Sequence, residues 1–109
     1  MILNLYHKRM KNLTTLDFQD NIEDGISLVK FWASFCGPCK RYAPTFEQFA
    51  SDNSDVKCFS VDAETEQELC TEFNVSSIPV TLLFKDGELK QTKNGILTKD
   101  QLIELIKSC

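Results

Sequence analysis

The apolar run Leu28-Val29-Lys30-Phe31-Trp32-Ala33 stops two residues short of Cys36-Gly37-Pro38-Cys39, and this junction constrains the chain more than any other segment. The run is short, apolar and bounded by turn residues, which predicts a central strand over 27–33. Beyond it Cys39, Tyr42, Ala43, Phe46, Phe49 and Ala50 recur at spacings of three and four, which predicts a helix over 37–50 with one buried stripe. Core packing is the preferred reading of those aromatics. Two thiols therefore stand where a buried strand hands over to a helix.

That placement has a chemical consequence. A helix start presents unpaired N–H groups and the positive end of the macrodipole, so a thiolate at Cys36 is favoured over a thiol. Two residues between the sulfurs let a small ring close, and Cys39, one turn on, can attack a mixed disulfide formed at Cys36. Cys36 is thus the expected nucleophile and Cys39 the resolving thiol. Pro38, with fixed φ and no N–H, suits the first helical turn and places no titratable group between the sulfurs.

The remaining pattern alternates strands and helices. A short edge strand is expected over 12–14, then a helix over 16–23 capped by Thr15, burying Phe18 and Ile22 and ended by Gly25. A strand over 56–61 and a helix over 64–73 follow. Strands over 80–84 and 88–93 flank Lys85-Asp86-Gly87, whose Asp-Gly pair is a strong hairpin signal. The last helix, over 98–108, is capped by Thr98 and buries Leu102, Leu105 and Ile106. Pro44 predicts a kink in the long helix. The strand–helix–strand crossover implies parallel pairing with a right-handed connection. The sum is an α/β fold with a central mixed sheet of four to five strands flanked by helices on both faces.

Composition excludes several functions. A chain of 109 residues forms one domain with a two-layer core, without needing disulfide staples. Its basic residues are scattered within a net charge of −4, so no stripe is present to neutralise phosphates and nucleic acid is not an expected partner. No stretch can span a membrane. Residues 1–9 read as an N-terminal extension to a domain over 10–109. In that extension Ile2, Leu3, Leu5 and Tyr6 precede Lys8-Arg9, the reverse of a secretory signal, so a cytoplasmic location is expected. That suits a dithiol kept reduced. Of five cysteines, Cys58 and Cys70 are expected to pack as small hydrophobes and Cys109 to lie at the terminus, none with the spacing to join the active pair. A zinc site would need two more suitably spaced ligands, and the sole histidine is His7, so no metal is expected. No glycine-rich dinucleotide fingerprint occurs, so no bound cofactor is expected and nicotinamide electrons must arrive through another protein.

The segment Phe31-Trp32-Ala33-Ser34-Phe35-Cys36-Gly37-Pro38-Cys39-Lys40 resembles the active-site segment of the thioredoxin family. Val75-Ser76-Ser77-Ile78-Pro79-Val80-Thr81-Leu82-Leu83-Phe84-Lys85-Asp86-Gly87 resembles the family's cis-proline strand and hairpin, and Asn94-Gly95 its late glycine loop. Three motifs in the family's order span roughly residues 10–109. The resemblance implies the thioredoxin fold and a cis Ile78–Pro79 bond beside the dithiol, with the backbone of Ile78 free to pair with an extended substrate. It implies a docking surface of Phe35, Gly37, Pro38, Ile78, Pro79 and Gly95, and a Trp32 packed under the active-site loop with a redox consequence. The partners implied are a thioredoxin reductase and disulfide-containing client proteins, engaged by a monomer.

One position departs from the family pattern. Thioredoxins usually place a buried acid two residues before the tryptophan, where this chain has Lys30, and the acid's partner lysine matches Ser60. Burial lowers the pKa of such a lysine by disfavouring the ammonium. An ammonium about 6 Å from a thiol, at an effective dielectric of about 20, contributes about 3 kcal/mol, or roughly two pKa units. The alternative is a head group that snorkels to solvent. Lys30 joins Trp32, Gly37, Pro38 and Pro79 as expected tuners of the pair.

The expected function is a general protein-disulfide reductant that cycles Cys36–Cys39. Pro38 favours a reductant because the similar disulfide isomerases carry histidine there, whose imidazolium makes the disulfide more oxidising. An oxidase or isomerase and a redox-independent binding module are the alternatives.

Overall fold

Strand β2 (Ile26–Trp32) is buried from Ser27 to Phe31, so both faces of the sheet must be covered at its centre. Its side chains alternate between two cores. Leu28 packs with Tyr42, Phe46, Phe49, Leu83 and Leu102 on one face; Val29 and Phe31 pack with Phe18, Ile22, Leu69 and Phe84 on the other. The structure, a computed structural model, describes residues 10–109, and the N-terminal extension expected over 1–9 lies outside the described residues.

Around β2 stand β1 (Lys11–Asn12), α1 (Phe18–Ile22), α2 (Gly37–Asp52), β3 (Lys57–Asp62), α3 (Gln67–Glu72), β4 (Val80–Lys85), β5 (Glu88–Asn94) and α4 (Lys99–Lys107). The sheet order is β1-β3-β2-β4-β5. Strand β3 runs parallel to β1 and β2, while β4 is antiparallel to β2 and β5. Helices α2 and α4 supply one core, α1 and α3 the other, giving the mixed sheet with helices on both faces.

Several element ends differ from the sequence reading, each for a local reason. Helix α1 begins at Phe18, not residue 16, and leaves Leu16 95% exposed. Thr15 does not cap it: its N–H and hydroxyl donate to Glu66 Oε1 at 2.9 and 3.2 Å. Asp17 instead accepts the Thr14 N–H at 2.8 Å, which holds its carboxyl below the usual range. Strand β1 ends at Asn12, one residue before buried Leu13, whose N–H still donates to the Ser60 carbonyl at 2.7 Å. Helix α3 starts at Gln67 because Asp62 captures the preceding N–H groups: its side chain accepts from Glu64 at 2.9 Å and its carbonyl from Glu66 at 2.9 Å. Ile106 is only half-buried.

Helix α2 runs through an exposed Pro44 and two residues past the expected end, to Asp52. Pro44 lacks the N–H that would bond the Lys40 carbonyl, and solvent exposure makes that loss tolerable. At the hairpin Asp86 and Gly87 have φ of 49° and 83°, the left-handed pair that a two-residue turn between twisted strands requires. Thr98 and Gln101 form a reciprocal capping box on α4, with bonds of 3.1 and 2.8 Å.

Ser27 Oγ is buried with no hydrogen-bond partner among the described residues. An unpaired buried hydroxyl is destabilising. Ser27→Ala is expected to raise stability by about 1 kcal/mol and the melting midpoint by about 4 °C, measured by thermal denaturation.

Candidate active site

The end of β2 sets the position of the dithiol. The Trp32 carbonyl accepts the Ala63 N–H at 2.8 Å, and the Trp32 indole N–H donates to Asn12 Oδ1 at 2.9 Å. One residue beyond buried Ala33, Ser34 donates its N–H and hydroxyl to Glu64 Oε1 at 3.2 and 2.8 Å. These bonds anchor the loop before Cys36 to β1 and to the turn after β3. Cys36 is the N-cap of α2 in an extended conformation (φ −91°, ψ 108°), with exposed Gly37 and Pro38 opening the helix.

Cys36 and Cys39 form a disulfide, with Cα atoms 5.3 Å apart. Cys36 Sγ also accepts the Cys39 N–H at 3.1 Å, so the sulfur takes the place a serine or aspartate oxygen takes in an ordinary cap. It lies 3.9 Å from the Ile78 carbonyl. The Ile78–Pro79 bond is cis, and Ile78 and Trp32 pack against the small cluster of Ala33, Cys36 and Cys39. Gly95, at φ 87°, donates its N–H to the Pro79 carbonyl at 2.8 Å, which ties the late glycine loop to the proline. Phe35 is 75% exposed beside the pair.

Behind the disulfide, Lys30 is 4% exposed, so its head group does not snorkel. It is paired in register with Ser60 on β3 and Thr81 on β4. Its Nζ lies 5.2 Å from the centre of the Phe46 ring and 6.0 Å from that of Tyr42. Lys30 and Cys39 line the same cavity of about 210 Å³, together with Trp32, Ser60 and Glu47. Burial pushes the Lys30 pKa down, and the charge of Glu47 partly opposes this. Tyr42, hydrogen-bonded to Thr81 Oγ1 at 2.7 Å, is pushed up to about 12 by burial.

The other three cysteines are free and lie apart from the pair. Half-buried Cys58 is pushed up to about 12 by burial, half-buried Cys70 is also raised, and Cys109 is exposed. No group of three or more His, Cys, Asp or Glu able to hold a metal occurs among the described residues. No described helix is long and apolar enough to cross a membrane.

Glu47 was missed in the sequence. It lies eight residues after Cys39 and four after Ala43, on the edge of the apolar stripe of α2, and its spacing alone distinguishes it from any solvated helix acid.

A disulfide closed across the first turn of a helix, fed by a central strand and flanked by a cis-proline loop, defines a thiol–disulfide oxidoreductase. Comparison with known proteins specifies it further. The family model described as Thioredoxin matches residues 9–108. The chain is 38% identical over 96 residues to the thioredoxin of Staphylococcus saprophyticus, covering 87% of this chain and 92% of that one. It is 39% identical over 90 residues to the thioredoxin of Chlamydia trachomatis, covering 83% and 88%. The oxidised crystal structure of mitochondrial thioredoxin 3 from Saccharomyces cerevisiae matches with a TM-score of 0.87 at 25% identity, over 95% of this chain and 99% of that one. The chain belongs to the thioredoxin family. It is a protein-disulfide reductase whose redox centre is the Cys36–Cys39 pair.

Among the described residues buried Lys30 makes no ion pair within 4 Å, so an apolar side chain of similar length is expected to be more stable there. Its pKa is lower folded than unfolded, so the penalty is full at low pH and fades as pH rises from the lowered value toward the ordinary 10.5. Lys30→Met is expected to add about 1–3 kcal/mol at neutral pH, with the advantage shrinking toward pH 10, in denaturant titrations across that range.

Proposed function

We propose that Cys36 attacks a client disulfide and Cys39 resolves the mixed disulfide, leaving the client reduced and the pair oxidised. The observation that carries this assignment is the position of Cys36 Sγ as acceptor of the Cys39 N–H at the start of α2. A sulfur there is stabilised as thiolate by that donor and by the helix dipole. Cys39 is 3% exposed and lies a turn into the apolar face, which suits a thiol that reacts only with its neighbour.

An extended client segment docks against exposed Phe35, with Ile78 supplying backbone groups and Pro79 and Gly95 shaping the adjoining surface. A thioredoxin reductase returns the dithiol to its reduced state, since no dinucleotide fingerprint is present in the chain. The chain acts as a cytoplasmic monomer, in a compartment that keeps dithiols reduced, with residues 1–9 as an extension outside the domain. The Lys30 ammonium, behind the pair, favours thiolate and thereby stabilises the reduced form, making the chain less reducing than one with an acid at this position.

Brief iodoacetamide treatment of reduced protein is expected to label Cys36 ahead of Cys39, and Cys39→Ser to accumulate a client mixed disulfide on Cys36, both read by mass spectrometry. Preferential labelling of Cys39 would reverse the roles. Lys30→Asp is expected to raise the Cys36 pKa by roughly one to two units in a thiolate absorbance titration. Equal values would show that the Lys30 charge does not reach the pair.

A further inference from the structure

Lys30 and Ser60, both buried, line one cavity of about 210 Å³ together with exposed Asn12. Each brings a donor that no described residue accepts. The Lys30 ammonium faces the Phe46 and Tyr42 rings at 5.2 and 6.0 Å, with no hydrogen bond or ion pair to another described residue. The Ser60 hydroxyl likewise bonds to no described residue. Asn12, whose Oδ1 takes the Trp32 indole N–H, keeps its amide N–H groups for another acceptor. We propose that this cavity is a binding site for a small monocarboxylic acid, its carboxylate on Lys30 and Ser60 and its short hydrocarbon body against Met10, Trp32 and Ala43.

The donors select the acceptor, and the charges set its valence. A buried ammonium is costly unless an acceptor of opposite charge meets it, and ring faces offset only part of that cost. A carboxylate supplies the charge together with two acceptor oxygens. Of the charged groups lining the cavity, Lys30 and exposed Lys40 stand against half-buried Glu47, a surplus of one positive charge. That surplus matches a monoanion, whereas Glu47 repels the second charge of a phosphate dianion. The walls set the body of the ligand: Met10, Trp32 and Ala43 present carbon. A cavity of about 150 Å³ takes a benzene and drug-sized ligands need about 300–1,000 Å³, so the volume here suits an acid of about six carbons.

Cys39 lines the same cavity, so an occupant acts on the redox pair. A carboxylate on Lys30 cancels the ammonium's field at the sulfurs, and a thiolate there repels the carboxylate. The oxidised chain, which carries no thiolate at the pair, therefore binds the acid more tightly than the reduced chain. By reciprocity the bound acid shifts the couple toward the disulfide and makes the chain more reducing. This coupling rests on the Cys36 thiolate of the exchange cycle; the site itself does not.

Trp32 is the sole tryptophan and lines the cavity, so its fluorescence reports occupancy. Titration of the oxidised full-length chain with sodium hexanoate, at ionic strength held constant with sodium chloride, is expected to saturate in the millimolar range. Lys30→Met, which is expected to fold, should weaken binding by about tenfold or more, and Ser60→Ala several-fold. Ala43→Leu, which keeps every charge and fills the cavity, should abolish saturation. Neutral hexanamide should bind about tenfold or more weakly than hexanoate. Hexanoate should also raise the thermal midpoint of the parent chain and leave that of Lys30→Met unmoved. A linear, unsaturable response would overturn the site, as would undiminished binding to Lys30→Met or Ala43→Leu, or equal binding of hexanamide. The reduced chain should bind hexanoate several-fold more weakly than the oxidised chain, and equal affinities would overturn the coupling. The oxidised pair holds no thiolate, so a failed titration there strikes the site alone and leaves the roles of Cys36 and Cys39 standing.

Discussion

The seating of α2 on the central strand is the interaction on which the site depends. Tyr42, Phe46 and Phe49 are fully buried against Leu28 and its neighbours, and each contributes on the order of 1.5–3 kcal/mol of apolar burial. That packing fixes where the helix begins, and the helix start is where the donor N–H and the macrodipole act on Cys36. The loop hydrogen bonds from Ser34 to Glu64 and from Trp32 to Asn12 then leave the sulfur little freedom. The disulfide is held by a rigid scaffold while the neighbouring Phe35 stays exposed.

The same packing buries a charged-type side chain at a cost in stability. Placing a lysine at the third even position of β2 sends its side chain into the α2 core, where aromatic faces and one half-buried acid offset only part of the desolvation. An apolar residue is expected to be more stable at that position. A destabilising polar group beside a redox pair is the pattern expected where stability has been given up for function.

The fold was largely legible because its strongest signals are local and periodic: the apolar run of β2, the spaced aromatics of α2, the Asp-Gly hairpin and the Thr98 cap. The misread helix starts had a common cause. Thr15 has the chemistry of a cap, but Glu66, distant in sequence, takes both of its donors, and Asp62 turns the chain before α3 can begin. Such partners are invisible to a local reading. At the site, the cysteine pair stood out by spacing alone, and Lys30 by its place in an apolar run. Whether Lys30 was buried, and that Glu47 faced it across a cavity, depended on how α2 lies over the sheet, which no sequence interval encodes.

The most direct test of a reductant built on Cys36–Cys39 is the equilibrium of that couple against glutathione, read by trapping free thiols at defined ratios of reduced to oxidised glutathione. We expect a potential well below about −180 mV, the value of a disulfide isomerase. A potential at or above that value would contradict a reductant and identify an oxidising pair.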